Sequence, residues 1–454
     1  MDLDNKRVLV VGTGISGISA VKLLLHNKAD VILLEGNENA DINKIKEKLE
    51  ENEAVKIIIG ELPKEYYDQL DYVVLSPGVP TDLPFVNALR NKEIPIIGEV
   101  ELAYHFTRGA VAAITGTNGK TTTTTLVGEI LQSYYKSVFV VGNIGIPFTA
   151  VAEKTEKDTV IAAEVSSFQL ETIIEFKPKV SAILNITPDH LNRHHTMVNY
   201  IDAKMQIAIN QNEEDTCVLN YEDEILRKRS KTLRAKVMYF SSQRQLEEGI
   251  YLDEDNNIIL AKDGNKEVIC NIGQLKLLGK HNYENVMAAI AICIPMGVPM
   301  EFIKKVIIEF TAVEHRIEYV TDKKGVKYYN DSKGTNTDAA IQGIRAMTTP
   351  TLLIGGGYDK GSEYEEWIKA FDGKVRYLVL MGETREKIEE AAKRCGFQNI
   401  ILVDDLKEAV EVCAKYARPG DAVLLSPACA SWGMFKNYEE RGALFKQYVK
   451  ELQD

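Results

Sequence analysis

The sequence predicts an α/β protein of three domains, each built around a mostly parallel sheet. Short apolar segments of strand length alternate with amphipathic helical segments along the chain, and glycine turns or polar loops follow many of the strands. The length of 454 residues fits about three domains at a prior of roughly 150 residues each. We place these domains at residues 1–108, 109–311 and 312–454.

The first domain begins with a strand, a glycine turn, a helix and a second strand, in the segment RVLVVGTGISGISAVKLLLHNKADVILLEG. Gly12, Gly14 and Gly17 have the spacing of a dinucleotide-binding turn, and Glu35 ends the next strand about 20 positions later. In such a unit the glycines let phosphate approach the backbone, and the acid binds a ribose hydroxyl. The pattern predicts a Rossmann-like domain that binds NAD or another nucleotide-bearing ligand. Its further strands are predicted at 55–59, 72–75 and 95–97.

The second domain opens with an apolar strand at 110–115, which leads directly into Thr115-Gly116-Thr117-Asn118-Gly119-Lys120-Thr121. This segment predicts a phosphate loop, because backbone N–H groups of a glycine turn and a helix N-terminus bind phosphate oxygens. Lys120 supplies a positive charge and Thr121 a hydroxyl for Mg²⁺, although two residues separate the glycines instead of the usual four. We therefore predict a central P-loop ATPase-like domain. Its other strands are predicted at 138–141, 159–164 and 180–185, and its last helices at 282–294 and 301–310.

Polar side chains at further strand ends of the second domain are candidates for metal binding. Glu164 ends a strand and is well placed to hold Mg²⁺, with a solvated turn acid as the alternative. His190 follows the next strand and is expected to face the ligand, whereas His194 and His195 are expected in solvent. Zinc is the alternative for these three histidines, and no cysteine or HExxH spacing supports it. Lys204 lies on a helical pattern that by itself predicts only a surface lysine.

The third domain is predicted to be Rossmann-like, with strands near 351–354, 377–381, 400–403 and 422–426. Asn282 and Asn285 precede it on one face of a helix, where Asn282 has an N-terminal cap as its alternative role. Loops rich in donors and cations follow, and together they could receive an anionic amino acid and phosphates, although each alone could be a turn. These loops are His315-Arg316, Asn330 to Asn336, Gly355 to Gly361 and Ser426 to Ser431.

Composition and charge argue against several classes of protein. Apolar residues make up 45% of the chain and charged residues 26%, which is typical of a folded globular protein. The net charge of −12 argues against general affinity for nucleic acid or anionic membranes. We expect neither a signal peptide nor a membrane span, because the most apolar helical stretch, 286–294, is stopped by Pro295. The 6 scattered cysteines predict reduced thiols, and we expect a cytoplasmic protein.

Taken together, the motifs resemble the Mur ligases, most closely the members that add D-glutamate. The matching segments occur in family order over nearly the whole chain: GTNGKTTT from Gly116, EVSSFQLE from Glu164, NITPDHLNRH from Asn185, LGKHNYENVMAA from Leu278, EHRIE from Glu314, NDSKGTN from Asn330, GGGYDKG from Gly355 and SPACASWGMFKNYEERG from Ser426. The resemblance implies an ATP-dependent, Mg²⁺-requiring ligase that adds D-glutamate to UDP-N-acetylmuramoyl-L-alanine through an acyl phosphate, in peptidoglycan precursor synthesis. It implies domains for the UDP-substrate, ATP and the amino acid in that order, in a monomer.

The resemblance also implies roles for individual residues, with Lys120, His190 and Lys204 as catalytic groups. The residues implied to bind ATP are Gly116, Thr117, Asn118, Gly119, Lys120, Thr121, Thr122, Asn282, Asn285, Arg316 and Asp331. The implied metal ligands are Thr121, Glu164, His190 and a carbamylated Lys204. The UDP-sugar is implied to contact Ile15, Ser16, Glu35, Gly78, Asn143 and Gln169. The residues implied to bind D-glutamate are Lys333, Thr335, Lys360, Ser431 and Tyr438.

Three alternatives stay open from the sequence. The first fingerprint could belong to an NAD-dependent oxidoreductase, which absorbance at the nicotinamide band would reveal. A regulatory or scaffold protein could bind ATP and a cell-wall precursor without chemistry, and it would not release phosphate in response to both substrates. Within the family, a ligase for a different amino acid is the nearest alternative, and the folylpolyglutamate synthetases are a more distant one.

Overall fold

The computed structural model describes residues 1, 3–50, 54–143, 145–277, 279–311 and 313–453. Leu278, which opens one of the quoted motifs, and Ala312 and Asp454, which bound the predicted third domain, lie outside the described residues. The chain contains three separate sheets, which confirms the predicted α/β class. It forms two compact units, Met1–Asn271 with Asn285–Ile307 and Ile272–Glu284 with Ile308–Asp454. The domain boundaries after residues 108 and 311 stay predictions.

The first sheet lies in the first unit. Its strands are β1 (Arg7–Val11), β2 (Asp30–Glu35), β3 (Lys56–Ile59), β4 (Tyr72–Leu75) and β5 (Ile96–Gly98), and its helices are α1 (Ile15–His26), α2 (Ile42–Lys48), α3 (Pro84–Arg90) and α4 (Glu99–Phe106). The strands are parallel in the order β3-β2-β1-β4-β5. The order reverses beside β1, and an open parallel sheet leaves a ligand crevice at such a point.

The predicted glycine fingerprint forms the turn between β1 and α1. Gly12 has a φ of +100°, in the region that favours glycine. Gly17 lies so close to this turn that a Cβ atom on it would stand 1.9 Å from the carbonyl oxygen of Gly12. Both positions therefore require glycine, and they let α1 begin at Ile15 beside the carboxyl end of β1.

The second sheet also lies in the first unit. Its strands are β6 (Ala110–Thr115), β7 (Val138–Gly142), β8 (Val160–Glu164), β9 (Val180–Ile183), β10 (Thr216–Asn220), β11 (Lys236–Ser241), β12 (Gly249–Leu252), β13 (Asn257–Lys262) and β14 (Asn265–Asn271). The helices of this part of the sequence are α5 (Lys120–Tyr134), α6 (Ser167–Leu170), α7 (Leu191–His194), α8 (Met197–Met205), α9 (Glu224–Arg229), α10 (Lys280–Cys293) and α11 (Met300–Glu309).

The strand order of this nine-stranded sheet is β14-β13-β12-β11-β10-β9-β6-β8-β7. Strands β6 to β12 pair in parallel, whereas β13 is antiparallel to both β12 and β14. The antiparallel pairs lie at one edge of the predicted mostly parallel sheet. They form because turns of two to four residues, at 253–256 and 263–264, join these strands, and a parallel connection needs a far longer crossover.

The first two sheets are joined by a continuous buried core. Leu102 on α4 belongs to the same apolar cluster as Phe148 and Phe176, which follow β7 and β8 in sequence. The carboxylate of Glu101 accepts hydrogen bonds from the backbone N–H groups of Ile174, Glu175 and Phe176 at 2.8–3.0 Å. These contacts hold the first sheet against the second within the first unit.

The third sheet lies in the second unit. Its strands are β15 (Glu318–Lys323), β16 (Val326–Asn330), β17 (Thr351–Gly355), β18 (Val375–Leu380), β19 (Ile400–Leu402) and β20 (Ala422–Leu425), and its helices are α12 (Thr337–Ala346), α13 (Glu365–Lys369), α14 (Arg385–Arg394), α15 (Leu406–Tyr416) and α16 (Tyr438–Glu451). The order is β15-β16-β20-β17-β18-β19, parallel except for the hairpin of β15 and β16. The 6 cysteines are free thiols. Among the helices that the structure describes, none has the length and hydropathy to cross a membrane.

Candidate active site

The phosphate loop follows β6, as predicted. Gly119 has a φ of +85° and caps α5, which begins at Lys120. The loop is tied to Asn185, two residues after β9, since the N–H groups of Thr117 and Asn118 donate to its backbone and side-chain oxygens at 2.9 and 2.8 Å. The first turn of α5 therefore stands at the end of β6, where its N–H groups suit an anion.

Two lysines converge on this loop. The Nζ atom of Lys120 donates to the carbonyl oxygens of Gly116 and Thr117, both at 2.9 Å, and the Nζ atom of Lys204 donates to that of Gly116 at 2.8 Å. The expectation that Lys204 lies on the surface was wrong: α8 packs it inward, and it is 2% exposed. Burial, followed by the nearby charge of Lys120, lowers the pKa of Lys204 well below its usual value.

Glu164 lies beside the phosphate loop at the end of β8, paired in register with Ile114. It is 1% exposed, so the alternative of a solvated turn acid was wrong. Its Oε1 atom accepts a hydrogen bond from Asn143 at 2.8 Å, whereas its Oε2 atom is buried with no hydrogen-bond partner among the described residues. An unpaired buried carboxylate oxygen is costly unless a cation compensates it. Thr121, the second residue of α5, is buried and carries a hydroxyl oxygen, a hard donor of the kind that Mg²⁺ prefers.

The histidines after β9 differ from one another. His190 has a φ of +53° and an exposed side chain, with its ring 5.0 Å from that of Phe168. His195 is exposed as predicted, but the prediction for His194 was wrong, because its ring is buried between Phe168 and Tyr200. Burial and nearby cations lower the pKa of His194 to about 4, so the ring is neutral at pH 7.

The first sheet carries a cavity of about 940 Å³ at the carboxyl ends of its strands. Glu35 and Gly78, two of the predicted UDP-sugar contacts, line it together with Gly12 and Phe85. Glu35 accepts hydrogen bonds from the Thr13 hydroxyl and from a backbone N–H group two residues later. The cavity is therefore an apolar pocket with an acidic group at the place predicted for a ribose.

The other predicted UDP-sugar contacts have different surroundings. Ile15 and Ser16 begin α1, next to the glycine turn. Asn143 donates to Glu164, which places it near the phosphate loop instead of the cavity. Gln169 is buried, and its Oε1 atom accepts hydrogen bonds from the backbone N–H and the hydroxyl of Ser166 in a capping box at the start of α6.

The predicted ATP contacts fall in both units. Asn285 belongs to the first unit and rests on the phosphate loop, where its Oδ1 atom would be 2.3 Å from a Cβ atom on Gly119. Asn282 belongs to the second unit and lies inside α10, two residues after its start, so the alternative of an N-terminal cap was wrong. Arg316 and Asp331 lie near one another in the second unit, since the charge of Arg316 acts on the Asp331 carboxyl.

Asp331 is the acidic residue among the predicted ATP contacts of the second unit, and its pKa is strongly changed. It is 6% exposed, and its Oδ2 atom accepts a hydrogen bond from the Ser426 hydroxyl at 2.7 Å. Burial raises its pKa to about 7, although the hydrogen bond from Ser426 and the charge of Arg316 oppose the rise.

The predicted D-glutamate contacts belong to the second unit, where Tyr438 begins α16 and the others stand on loops. The Nζ atom of Lys333 donates to the Tyr438 hydroxyl at 2.8 Å and lies 4.6 Å from the centre of its ring. The Nζ atom of Lys360 lies 4.7 Å from the ring centre of Trp432, the residue after Ser431. Thr335 follows Lys333, to whose carbonyl oxygen its N–H group donates at 2.8 Å. Each cation is thus held against an aromatic ring.

Three known domain families match successive parts of this chain. Residues 6–98 match the Mur ligase MurD-like N-terminal domain, 114–293 the Mur ligase middle domain and 315–429 the Mur ligase glutamate ligase domain. A protein of Lachnoclostridium phytofermentans named UDP-N-acetylmuramoylalanine--D-glutamate ligase is 62% identical over 454 residues, which cover 100% of both chains. The chain belongs to the Mur ligase family.

Other members show how widely this Mur ligase sequence and fold are shared. A Clostridioides difficile protein with the same name is 48% identical over 456 residues, covering 100% of both chains. The crystal structure of UDP-N-acetylmuramate-alanine ligase MurC from Thermotoga maritima matches with a TM-score of 0.60 at 18% identity, over 98% of this chain and 99% of that one. MurF ligase from the same organism, in complex with ADP, matches with 0.60 at 17% identity, over 99% and 96%. These structures confirm the three-domain Mur ligase fold.

One buried residue of this Mur ligase was missed by the sequence reasoning. Arg441 on α16 is fully buried and donates to the hydroxyl and carbonyl oxygens of Ser332 at 3.0 and 2.7 Å and to the carbonyl oxygen of Cys429 at 3.2 Å. It thereby joins the loop after β16 to the loop after β20. The signal was its place in the last quoted motif, where it reads as an ordinary helix-surface cation.

Proposed function

We propose that this Mur ligase adds D-glutamate to UDP-N-acetylmuramoyl-L-alanine at the expense of ATP, as a cytoplasmic step of peptidoglycan precursor synthesis. The observation that carries the proposal is identity of 62% over the full length with a ligase of that name. The phosphate loop, with Lys120 and Lys204 on it and Glu164 beside it, supports the ATP-dependent chemistry.

The chemistry requires ATP because a carboxylate is a poor electrophile and its oxygen a poor leaving group. A carboxylate oxygen of the alanyl substrate attacks the γ-phosphorus of ATP. The bond between that phosphorus and the oxygen bridging to the β-phosphate breaks, so ADP departs and the substrate becomes an acyl phosphate. The amine nitrogen of D-glutamate then attacks the acyl carbon, loses a proton and expels phosphate. Both steps depend on positioning and on neutralised charge more than on covalent catalysis.

Lys120 is the residue we assign to the transferred phosphoryl group. Its Nζ atom now donates to two carbonyl oxygens of its own loop, and a γ-phosphate offers it stronger, charge-assisted partners within the same reach. The N–H groups at the start of α5 hold the other phosphate oxygens. Asn285, which rests on Gly119, fixes the shape of the loop from outside.

Glu164 and Thr121 fit a magnesium ion. The Oε2 atom of Glu164 is a buried anionic oxygen that needs a cation, and the Asn143 amide fixes the orientation of that carboxylate. Mg²⁺, when bound there, supplies charge neutralisation of the phosphates. These two residues hold and orient the ion, and the surrounding burial keeps water from the carboxylate.

Lys204 and His190 are assigned to a second magnesium ion. An ammonium group repels a metal, so Lys204 must first become a carbamate: its neutral amine attacks CO₂, a C–N bond forms, and a proton is lost. Burial favours this reaction because it lowers the pKa of the amine. The resulting anionic oxygens and the imidazole of His190 are the ligands we propose.

The second unit is assigned to the nucleoside and to the amino acid. Arg316 and Asp331 hold the nucleotide, with Asn282 as a further contact. Lys333, Thr335, Lys360, Ser431 and Tyr438 bind D-glutamate. Two carboxylates need cations at two separate points, and Lys333 and Lys360 stand on different loops, after β16 and β17. In the first unit, the cavity lined by Glu35 and Gly78 receives the UDP group.

The proposal is tested with a panel of amino acids supplied with UDP-N-acetylmuramoyl-L-alanine, ATP and Mg²⁺, with phosphate release as the readout. We expect release that needs both the UDP-linked substrate and D-glutamate. Preference for L-glutamate, glycine or a diamino acid would move the assignment to another ligase of the family. Phosphate release that does not depend on the amino acid would indicate an ATPase. Absorbance changes with NAD would indicate an oxidoreductase.

A further inference from the structure

Four buried or half-buried side chains of the first unit form a continuous chain of polar contacts that the proposed chemistry does not use. The Ser167 hydroxyl lies 2.9 Å from Nε2 of His194, and Nδ1 of His194 lies 3.1 Å from Oε1 of Glu171. The other oxygen of Glu171 accepts from Nη2 of Arg193 at 3.0 Å. Nη2 of Arg193 also donates to the carbonyl oxygen of Val79 at 2.9 Å. We call this set the buried polar chain.

The donors and acceptors along the buried polar chain follow from the protonation of its side chains. Burial raises the pKa of Glu171, and the hydrogen bond and charge of Arg193 oppose that rise. An ionised Glu171 only accepts hydrogen bonds, so the tautomer of His194 that suits it has its proton at Nδ1, 3.1 Å from Oε1. The neutral ring then has only an acceptor at Nε2, and the Ser167 hydroxyl donates to it. With this tautomer each contact of the buried polar chain pairs a donor with an acceptor, and Arg193 is the donor at its end.

The two ends of the buried polar chain lie next to residues that the proposed function uses. Val79 follows Gly78, and both line the cavity assigned to the UDP group. Ser167 begins α6, three residues after Glu164 and two before Gln169. The chain thus connects the loop after β4 on the first sheet with α6 on the second sheet, within one compact unit.

Aromatic contacts extend this connection to the phosphate loop. The His194 ring stacks on Phe168 at 5.3 Å and lies 5.2 Å from Tyr200. The Tyr200 hydroxyl is 2.9 Å from the hydroxyl oxygen of Thr117, in the phosphate loop. A displacement of His194 would therefore shift the contacts of Thr117 as well as those of Val79.

Ser167, His194 and Glu171 have the order of a hydrolytic triad, but the geometry does not support that role. Ser167 and His194 are each 3% exposed, so a substrate carbonyl has no access to the Ser167 oxygen. A triad needs its nucleophile open to the substrate. These residues are instead placed to hold other groups.

We propose that Arg193, Glu171 and His194 are positioning residues that fix the Gly78–Val79 loop relative to α6, in the arrangement that accepts the UDP-linked substrate. The proposal rests on the proposed function, because that function supplies the substrate. Arg193 holds the loop through the Val79 carbonyl, and Glu171 holds Arg193. His194 ties Glu171 to the start of α6.

The test measures the KM of each substrate and kcat for Glu171→Gln, Arg193→Gln and their double variant, together with calorimetric binding of UDP-N-acetylmuramoyl-L-alanine in the absence of ATP. Each single change is expected to raise the KM and Kd for the UDP-linked substrate about tenfold, the size expected for a lost hydrogen bond to a charged group. The KM for D-glutamate should change less than about twofold. The double variant should be no worse than the single ones, because both act through one contact.

The matched control is His195→Ala, which changes the exposed histidine next to His194 and should leave every constant as in the wild type. Arg193 lies at the end of the buried polar chain and is only partly buried. Arg193→Gln therefore still tests the proposal if Glu171→Gln fails to fold. Unchanged KM and Kd for the UDP-linked substrate would overturn the proposal. So would an equal loss in all constants together with a lower thermal midpoint, which indicates a purely structural role. Wild-type protein that does not use D-glutamate in the panel above would instead overturn the proposed function.

Discussion

Asparagine in place of Asp331 is expected to change how the stability of the protein depends on pH. The Asp331 carboxyl is buried, and the Ser426 hydroxyl donates to it at 2.7 Å. Burial raises its pKa from 3.8 to about 7. Asparagine has the same shape and keeps an acceptor for Ser426, but it does not ionise.

The size of the effect follows from the pKa difference between the folded and unfolded states. A rise from 3.8 to about 7 is roughly 3 units, and at about 1.4 kcal/mol each it amounts to ~4 kcal/mol. Because the folded state binds this proton more tightly than the unfolded state, the stabilisation is complete below about pH 4 and is lost as the pH rises through about 7. The asparagine variant should not show this loss.

Urea unfolding of both proteins between pH 4 and pH 8.5 measures the difference directly. The free energy of unfolding of Asp331→Asn, minus that of the wild type, should grow by up to ~4 kcal/mol across this range. The control is Asp338→Asn, which replaces an exposed aspartate at the start of α12. A difference that stays flat, or that falls as the pH rises, would refute the reasoning.

Three further predictions concern the proposed chemistry. Lys120→Ala should reduce phosphate release about a hundredfold or more, because alanine brings no charge to the phosphates. Its circular dichroism spectrum should remain that of the folded protein. Turnover near the wild-type value would contradict the phosphate-loop assignment. Lys204→Ala and Lys204→Arg should both be nearly inactive, and a short carboxylic acid added to the alanine variant should restore part of the phosphate release; a fully active arginine variant would argue against a carbamate. Lys360→Ala should raise the KM for D-glutamate about tenfold and leave that for ATP unchanged, whereas equal shifts in both would show that Lys360 does not select the amino acid.

The strands and the phosphate loop were predictable because local sequence determines them. Strands β4 and β6 occur at the predicted positions, since apolar runs followed by glycine turns leave few alternatives to a buried parallel strand. Gly12 and Gly17 could be recognised because the positive φ of Gly12 and the close approach of Gly17 to the Gly12 carbonyl allow no other residue. In each of these cases the constraint lies within about ten residues of the chain.

The burial of Lys204 and His194 was not predictable from local pattern, because it depends on which face of α8 and α7 packs inward. Lysine and histidine on a short polar helix usually face water, and only the neighbouring phosphate loop and α6 reverse that preference. The edge strand β14 was missed for a related reason. The first four residues of β14 are all exposed, so it lacks the apolar run that identifies the interior strands.

The core shared by the first two sheets has a consequence for synthesis of the chain. Residues 1–108 leave the ribosome first, with the apolar face of α4 and the Glu101 carboxylate ready for partners that include the backbone of Ile174 to Phe176. At roughly 5–20 residues per second, those partners follow several seconds later. During that interval the nascent first sheet presents an uncovered apolar surface, which is open to aggregation or to binding by a chaperone.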